Sequence, residues 1–493
     1  MHSTAPLSTQ AALILLVVFA ALLFLVGLDQ WDLWSSDEPR VAGIGAAIAR
    51  SGDLLVPRLN GHPYLEKPPL YFWISAGIFE VFGESTFNAR LPSALAAVGG
   101  IVLLFVLARQ MAFSPTIALL AGVILAASPE YWAIGHRVIV DMLLCLSISS
   151  AMLAFYSADR HLQVGTLASS RRAWPWIATL IVCLAAAVMT KALVGLAIPL
   201  TSILSFLVFR TWLKRAFHPS SWVVLVIASI LCFIPFGVWL WFQYTQYGWQ
   251  MVYDIVWLHN LARFSGDNAS HVQPFYFYLV KFPKQFFPWT LLLPLAAIYH
   301  YRMIRYRGDT NSLFLLCWLI IPFLLLSISA NKRGIYLLPI YPAASLFVAV
   351  AAVRFVEERG WNLRFYWPTV IKATAISYLA LTLTIEFLIW PAKNARESYV
   401  PLFEYCATLE KGGADLRLYE PLDRIRGAAV FYLGRNISEL GGQEALAGFL
   451  KNQNAIVLTY SENLPEVGGI QVLKNFLISG KRFVVVKGNT VEE

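Results

Sequence analysis

Charge is scarce in this 493-residue chain: 14% of its residues are Asp, Glu, Lys or Arg, where a soluble domain carries about 25%. Hydrophobic residues reach 58%, which excludes a disordered chain, a coiled coil and an ordinary cytosolic enzyme. Cysteine is also sparse. Of the five, Cys145, Cys183, Cys232 and Cys317 lie in apolar runs and Cys406 alone in a polar stretch. Neither a disulfide framework nor a Cys-based zinc spacing is readable. No glycine-rich phosphate loop is present. Ionisable residues are nearly absent from the middle of the long apolar runs, where an ion-coupled transporter generally keeps them. What remains is a polytopic α-helical membrane protein.

A helix needs about 20 apolar residues to cross the hydrocarbon. Such runs fall near residues 11–28, 90–108, 115–133, 139–157, 174–190, 192–209, 221–243, 286–300, 311–328, 335–353 and 368–390, eleven spans in all. A shorter run at 69–82, interrupted by Gly77, reads as a helix lying at the interface. Alternate loops carry the basic residues: Arg109; Arg160, Arg171 and Arg172; Arg210, Lys214 and Arg215; Arg302, Arg305 and Arg307; Arg354, Arg359 and Arg364. The positive-inside rule makes these loops cytoplasmic, with the amino terminus inside and the carboxyl terminus outside. Topology thus explains the net charge of +9 without a nucleic-acid partner.

The other face is elaborate, with a first loop at 29–89, a second at 244–285 and a tail from 392 to 493. Long polar loops tend to carry function. The expected division is a membrane domain over 1–391 and a small α/β domain over 392–493. In that tail, residues 415–420, 455–460, 470–472 and 483–487 read as strands, and 423–434 and 443–451 as helices.

Polar residues cluster in the outer loops. Asp37-Glu38-Pro39-Arg40 opens a helix that Gly52 can end, with Val41, Ile44 and Ile48 on an apolar face able to rest on the bilayer. The helix dipole favours the charged form of Asp37. Four prolines then pin Arg58, Tyr64, Glu66 and Lys67 just before an apolar helix. The second loop holds many aromatics, usual interface anchors, together with His259 and Arg263 one helical turn apart. Asp141, Lys191, Lys332 and Arg333 lie at the outer ends of spans. Guanidinium and ammonium groups at the lipid boundary suit a phosphate, and apolar surroundings suit a lipid-borne one. The residues themselves therefore point to an enzyme or carrier handling a lipid phosphate on the outer face. A lipid or solute transporter (flippase) is the alternative, and a scaffold with a docking tail a third.

Several runs add a family resemblance. Trp34-Ser35-Ser36-Asp37-Glu38-Pro39-Arg40, Val56-Pro57-Arg58-Leu59-Asn60-Gly61, Tyr64-Leu65-Glu66-Lys67-Pro68-Pro69 and Ala89-Arg90-Leu91-Pro92-Ser93 together resemble the bacterial aminoarabinose-transferase and protein-mannosyltransferase superfamily, of GT-C fold and family 39-like. His136-Arg137 through Asp141, Met189-Thr190-Lys191 and Asn331-Lys332-Arg333 are similar to its later motifs. The resemblance implies an inner-membrane glycosyltransferase. It would move a sugar, with inversion, from a polyprenyl-phosphate donor to a periplasmic acceptor such as lipid A, a glycan or a protein. Asp37 and Asp141 become the catalytic candidates. Lys67, Arg40, Arg263, Arg58 and Lys191 would bind the donor phosphate, and Tyr64 the donor. Glu66 and His259 match positions that hold a divalent metal, zinc or similar, in some relatives.

Overall fold

The computed structural model describes residues 8–34, 37–163, 170–262, 271–359, 367–465 and 470–488. They divide into two compact units interleaved along the chain. The first comprises Met1–Val26, Leu65–Tyr71 and Ser93–Thr382; the second Gly27–Tyr64, Phe72–Pro92 and Leu383–Glu493.

Each of the eleven apolar runs contains helix, but not each makes one long straight rod. Among the described residues seven helices are long and apolar enough to cross a membrane, or eight if the bent pair Pro115–Ala126 and Pro129–Gly135 is one span. The chain is a multi-pass membrane protein. The expected count of eleven is not confirmed, for identifiable reasons. Thr9–Leu25 has 17 residues, about 25 Å at 1.5 Å per residue, slightly short of the hydrocarbon core. The 41-residue segment Trp174–Lys214 is two helices joined at a kink at Lys191 and Ala192, where two expected spans meet, with no loop between them. The run at 286–300 begins in a 3-10 turn at Trp289–Leu292, and its α-helix, Leu293–Arg307, has only 15 residues.

Glycine permits the tightest packing in the first unit. A Cβ on Gly122 would meet the Leu16 side chain at 2.5 Å, and one on Gly135 would meet the Phe24 ring at 2.4 Å. Gly195 lies beside the kink: a Cβ there would reach the Ala187 carbonyl oxygen at 2.1 Å. The bent backbone folds back too closely for any side chain at that position.

In the second unit, Arg58–Leu59 (β1) and His62–Pro63 (β2) form a tight antiparallel pair. The tail builds a sheet from Asp415–Tyr419 (β3), Glu439–Leu440 (β4), Ala455–Tyr460 (β5), Ile470–Ile478 (β6) and Lys481–Gly488 (β7). Their order is β4-β3-β5-β7-β6. β3 pairs parallel with β4 and β5, whereas β7 pairs antiparallel with β5 and β6. Every side chain of β5 is buried, as expected for a central strand covered on both faces. One core contains Leu402, Phe403 and Cys406 with Leu416, Leu418 and Val485; the other contains Leu446 and Phe449 with Val457 and Val486.

Candidate functional site

The first long loop is held from within the second unit by a buried ion pair. Arg90 directs Nε to Glu38 Oε1 at 3.0 Å and Nη2 to Glu38 Oε2 at 3.4 Å. Its remaining donors reach the carbonyls of Leu28, Trp31 and Asp32 at 2.6, 2.8 and 2.7 Å. The guanidinium also lies 3.4 Å from the Trp31 ring centroid. All five N–H donors of an arginine are thereby engaged, and Glu38 additionally accepts from the Trp34 backbone N–H at 3.1 Å. This pair fixes the approach to helix Asp37–Ser51.

Asp37 sits in the first turn of that helix, where exposed N–H groups and the dipole favour a carboxylate. Its partner is Arg40, one turn on. Both are largely buried. Arg40 lies 5.7 Å from the centroid of the Tyr64 ring and reaches Asp423 in the tail domain at 3.5 Å. Asp37, Arg40 and Tyr64 therefore form one constellation. Arg58 is used otherwise: Nη1 donates to the Gly61 carbonyl at 3.2 Å and Nε faces Asp53 at 3.6 Å. The turn it ties needs left-handed backbone at Asn60 (φ 52°) and Gly61 (φ 85°).

One expectation is corrected here. Val41, Ile44 and Ile48 are buried in protein rather than laid on lipid, and helix Asp37–Ser51 packs on helix Asp423–Leu433. A Cβ on Gly43 would meet the Gly427 carbonyl oxygen at 2.6 Å, and one on Gly427 the Pro39 carbonyl oxygen at 2.3 Å. The two backbones touch without intervening side chains.

In the first unit, Glu66 and Lys67 face each other at 4.0 Å and keep partial exposure. Asp141, in the first turn of helix Val140–Leu162, pairs with Lys191. The Lys191 ammonium stands 4.1 Å from the Tyr336 ring centroid. The backbone is bent at this point, with Lys191 at φ −149° and Ala192 at φ 44°. A left-handed alanine within a helical stretch is strained, a state that tends to persist where function requires it.

His259 lies on the π-helix Asp254–Leu261, a helix form frequent at functional sites. Its expected partner Arg263 lies outside the described residues. Lys332 finds carbonyls: Nζ donates to the Gln273 oxygen at 3.0 Å and to the Ser329 oxygen. Burial pushes its pKa below the ordinary lysine value. Among the described residues no group of three or more His, Cys, Asp or Glu could hold a metal ion. Zinc takes three or four protein ligands, so Glu66 and His259 do not by themselves fit one. Sequence reading missed Arg90 as the loop's anchor and Asp423 as Arg40's second partner, because neither contact leaves a local sequence signal.

Residues 10–247 match the family model described as "Dolichyl-phosphate-mannose-protein mannosyltransferase". Two curated relatives are named as undecaprenyl phosphate-alpha-4-amino-4-deoxy-L-arabinose arabinosyl transferases. The one from Edwardsiella ictaluri is 31% identical over 71% of this chain and 61% of its own length. The second, from Proteus mirabilis, is 28% identical over 79% and 67%. The chain spans about six tenths of the length of the first curated relatives it matches. In fold it is similar to ArnT from Cupriavidus metallidurans, solved with undecaprenyl phosphate, at a TM-score of 0.76 and 20% identity over 97% of this chain and 98% of that one. An Archaeoglobus fulgidus oligosaccharyltransferase superposes at 0.59 and 12% identity over 92% and 69%. The GT-C fold expected from the sequence is therefore shown.

Proposed function

We propose, from the match of residues 10–247 to the protein-mannosyltransferase family model, that this protein is a membrane glycosyltransferase using a polyprenyl-phosphate sugar donor. The observation that carries the reading is the Asp37–Arg40 pair on a helix N-terminus, with Tyr64 beneath the guanidinium. An acceptor oxygen attacks the anomeric carbon as the bond from that carbon to the donor phosphate oxygen breaks. The electron pair leaves with the lipid phosphate, whose growing negative charge Arg40 stabilises. The acceptor proton passes to Asp37 when the acceptor is a hydroxyl. A phosphate acceptor brings no such proton, and Asp37 then orients it. Within the first unit, Lys67 and the Asp141–Lys191 pair offer ammonium groups of the kind that suits a phosphate.

The names of the relatives favour undecaprenyl phosphate as carrier and 4-amino-4-deoxy-arabinose as sugar; lipid A is the acceptor that the family resemblance implies. The protein then belongs in a bacterial inner membrane, with basic loops and amino terminus cytoplasmic and the tail domain periplasmic. A divalent metal at Glu66 and His259 would need a further ligand, and no step is assigned to it. The test is transfer of labelled sugar from an undecaprenyl-phosphate donor to lipid A in proteoliposomes of the purified full chain. Labelled lipid A supports the reading. Lipid movement across the bilayer without acceptor labelling would replace it with a flippase.

A further inference from the structure

Arg40 has a second acidic neighbour that the transfer chemistry leaves without a role. Asp423, first residue of helix Asp423–Leu433, faces Arg40 Nη1 at 3.5 Å with one carboxylate oxygen and Arg426 Nη1 at 3.1 Å with the other. Arg426 in turn grips Glu439 through two bonds, Nε to Oε1 at 2.9 Å and Nη2 to Oε2 at 2.8 Å. Such a forked pair fixes geometry as well as charge. Glu439 Oε1 accepts from Asn60 Nδ2 at 2.8 Å and lies 3.6 Å from His62 Nε2. Asn60 is locked again by exchanging hydrogen bonds with Ile437, 2.7 Å each way. The result is one chain of alternating sign from Asp37 through Arg40, Asp423 and Arg426 to Glu439, closed by the neutral amide of Asn60. Both its ends lie in the first long loop, and its middle belongs to the tail domain.

The backbone makes this chain stiff. Arg40 and Asp423 each sit one helical turn before the glycine of their own helix at the Gly43–Gly427 contact. Neither helix can slide without a clash or a gap at that crossing, so the Asp423 carboxylate has a set place beside the guanidinium. A guanidinium held by one carboxylate at its own helix end keeps rotational freedom about its long stem. A second carboxylate on another rigid helix removes it.

We propose that Asp423 is a positioning residue: shared between Asp37 and Asp423, the Arg40 guanidinium is fixed in the plane in which it meets the departing phosphate, and the tail domain thereby sets the competence of the transfer site. This rests on the transferase reading. The test measures kcat and donor KM for the full-length protein in proteoliposomes, with undecaprenyl-phosphate-linked sugar as donor. Asp423→Ala should lower kcat about tenfold, equivalent to about 1.4 kcal/mol, while donor KM stays within about twofold. Asp423→Glu should recover most of the loss. On an Arg40→Lys background the same Asp423→Ala change should cost little more, because the fork it aligns is gone. A merely structural role would lower the amount of folded protein and leave kcat per folded molecule unchanged. Unchanged kcat in Asp423→Ala, or an undiminished tenfold loss on the Arg40→Lys background, overturns the positioning role alone. A wild-type protein that binds the donor yet transfers nothing overturns the transferase reading and this inference together.

Discussion

Helix Val140–Leu162 carries an aspartate in its first turn and another near its last, and each meets a cation from the segment Trp174–Lys214. The two ends are built differently. Asp159 is saturated: besides Arg210 it accepts from Ser221 Oγ at 2.6 Å and Gln163 Nε2 at 2.6 Å, and both members of the ion pair are 2% exposed. Asp141 meets Lys191, which remains partly exposed, stands over Tyr336 and sits on a broken stretch of helix. An ion pair buried on both sides, whose carboxylate already holds three donors, is a staple out of a ligand's reach. An ammonium on strained backbone with one side open still has donors to offer. The presence of an ion pair therefore says little about function, and what surrounds its cation says much. Asp37–Arg40 differs from both: it is largely buried, yet its cation is shared between two carboxylates beside Tyr64.

The sharpest way to test that distinction is Asp37→Asn. Transfer to a hydroxyl acceptor should fall by about 10²–10⁴, the usual worth of a general base, with little change in thermal midpoint; assay and melting of the same preparation check both. Asp159→Ala should do the reverse. Leaving Arg210 buried and unpaired costs about 3–5 kcal/mol, read as a lower melting temperature and yield, whereas the protein that does fold keeps its specific activity. If Asp159→Ala instead lost turnover at unchanged stability, the two ends of the helix would not differ as described. Lys191→Ala should lower kcat/KM about tenfold, equivalent to about 1.4 kcal/mol, without lowering the melting temperature.

The smallest effect concerns pH. Burial alone would raise the Glu439 carboxyl, but its hydrogen bonds to Arg426 and Asn60 and the Arg426 charge outweigh this and leave it below the ordinary value of 4.5. A carboxylate lowered in the folded state contributes stability above its unfolded pKa, and loses it as pH falls through the folded value. Wild type should therefore be more stable than Glu439→Gln at pH 7, and the gap should close in acid. Melting curves of both proteins across that range are the check. A gap that stayed constant would remove the charge from the explanation.

Much of this was legible in the sequence. Apolar run length located the membrane helices, and the strand readings placed β3, β5 and β7 within two residues, whereas β6 runs on to Ile478, past the expected 470–472. The position of Asp37 at a helix start followed from Pro39 and the apolar spacing behind it. Other features were out of reach for physical reasons. Periodicity shows that Val41, Ile44 and Ile48 share a buried face, but not whether lipid or protein covers it. Glu38 and Arg90 are 52 residues apart, and Asn60 and Glu439 are 379 apart; no local pattern announces either contact. Arg210 reads in sequence as one more cytoplasmic-loop cation, because its partner Asp159 lies 51 residues away. Helix Val400–Lys411 was not expected, although Leu402, Phe403 and Cys406 form its buried stripe. That burial pushes the Cys406 thiol up to about 12.

The bare crossing at Gly43 and Gly427 also limits how such proteins can be recombined. Grafting another protein's tail onto this chain would press an unmatched surface against the helix that bears Asp37, and a single methyl group there is already too large. Domain-swapped chimeras should therefore assemble only when residues 37–51 are exchanged along with the tail, as one inherited cassette.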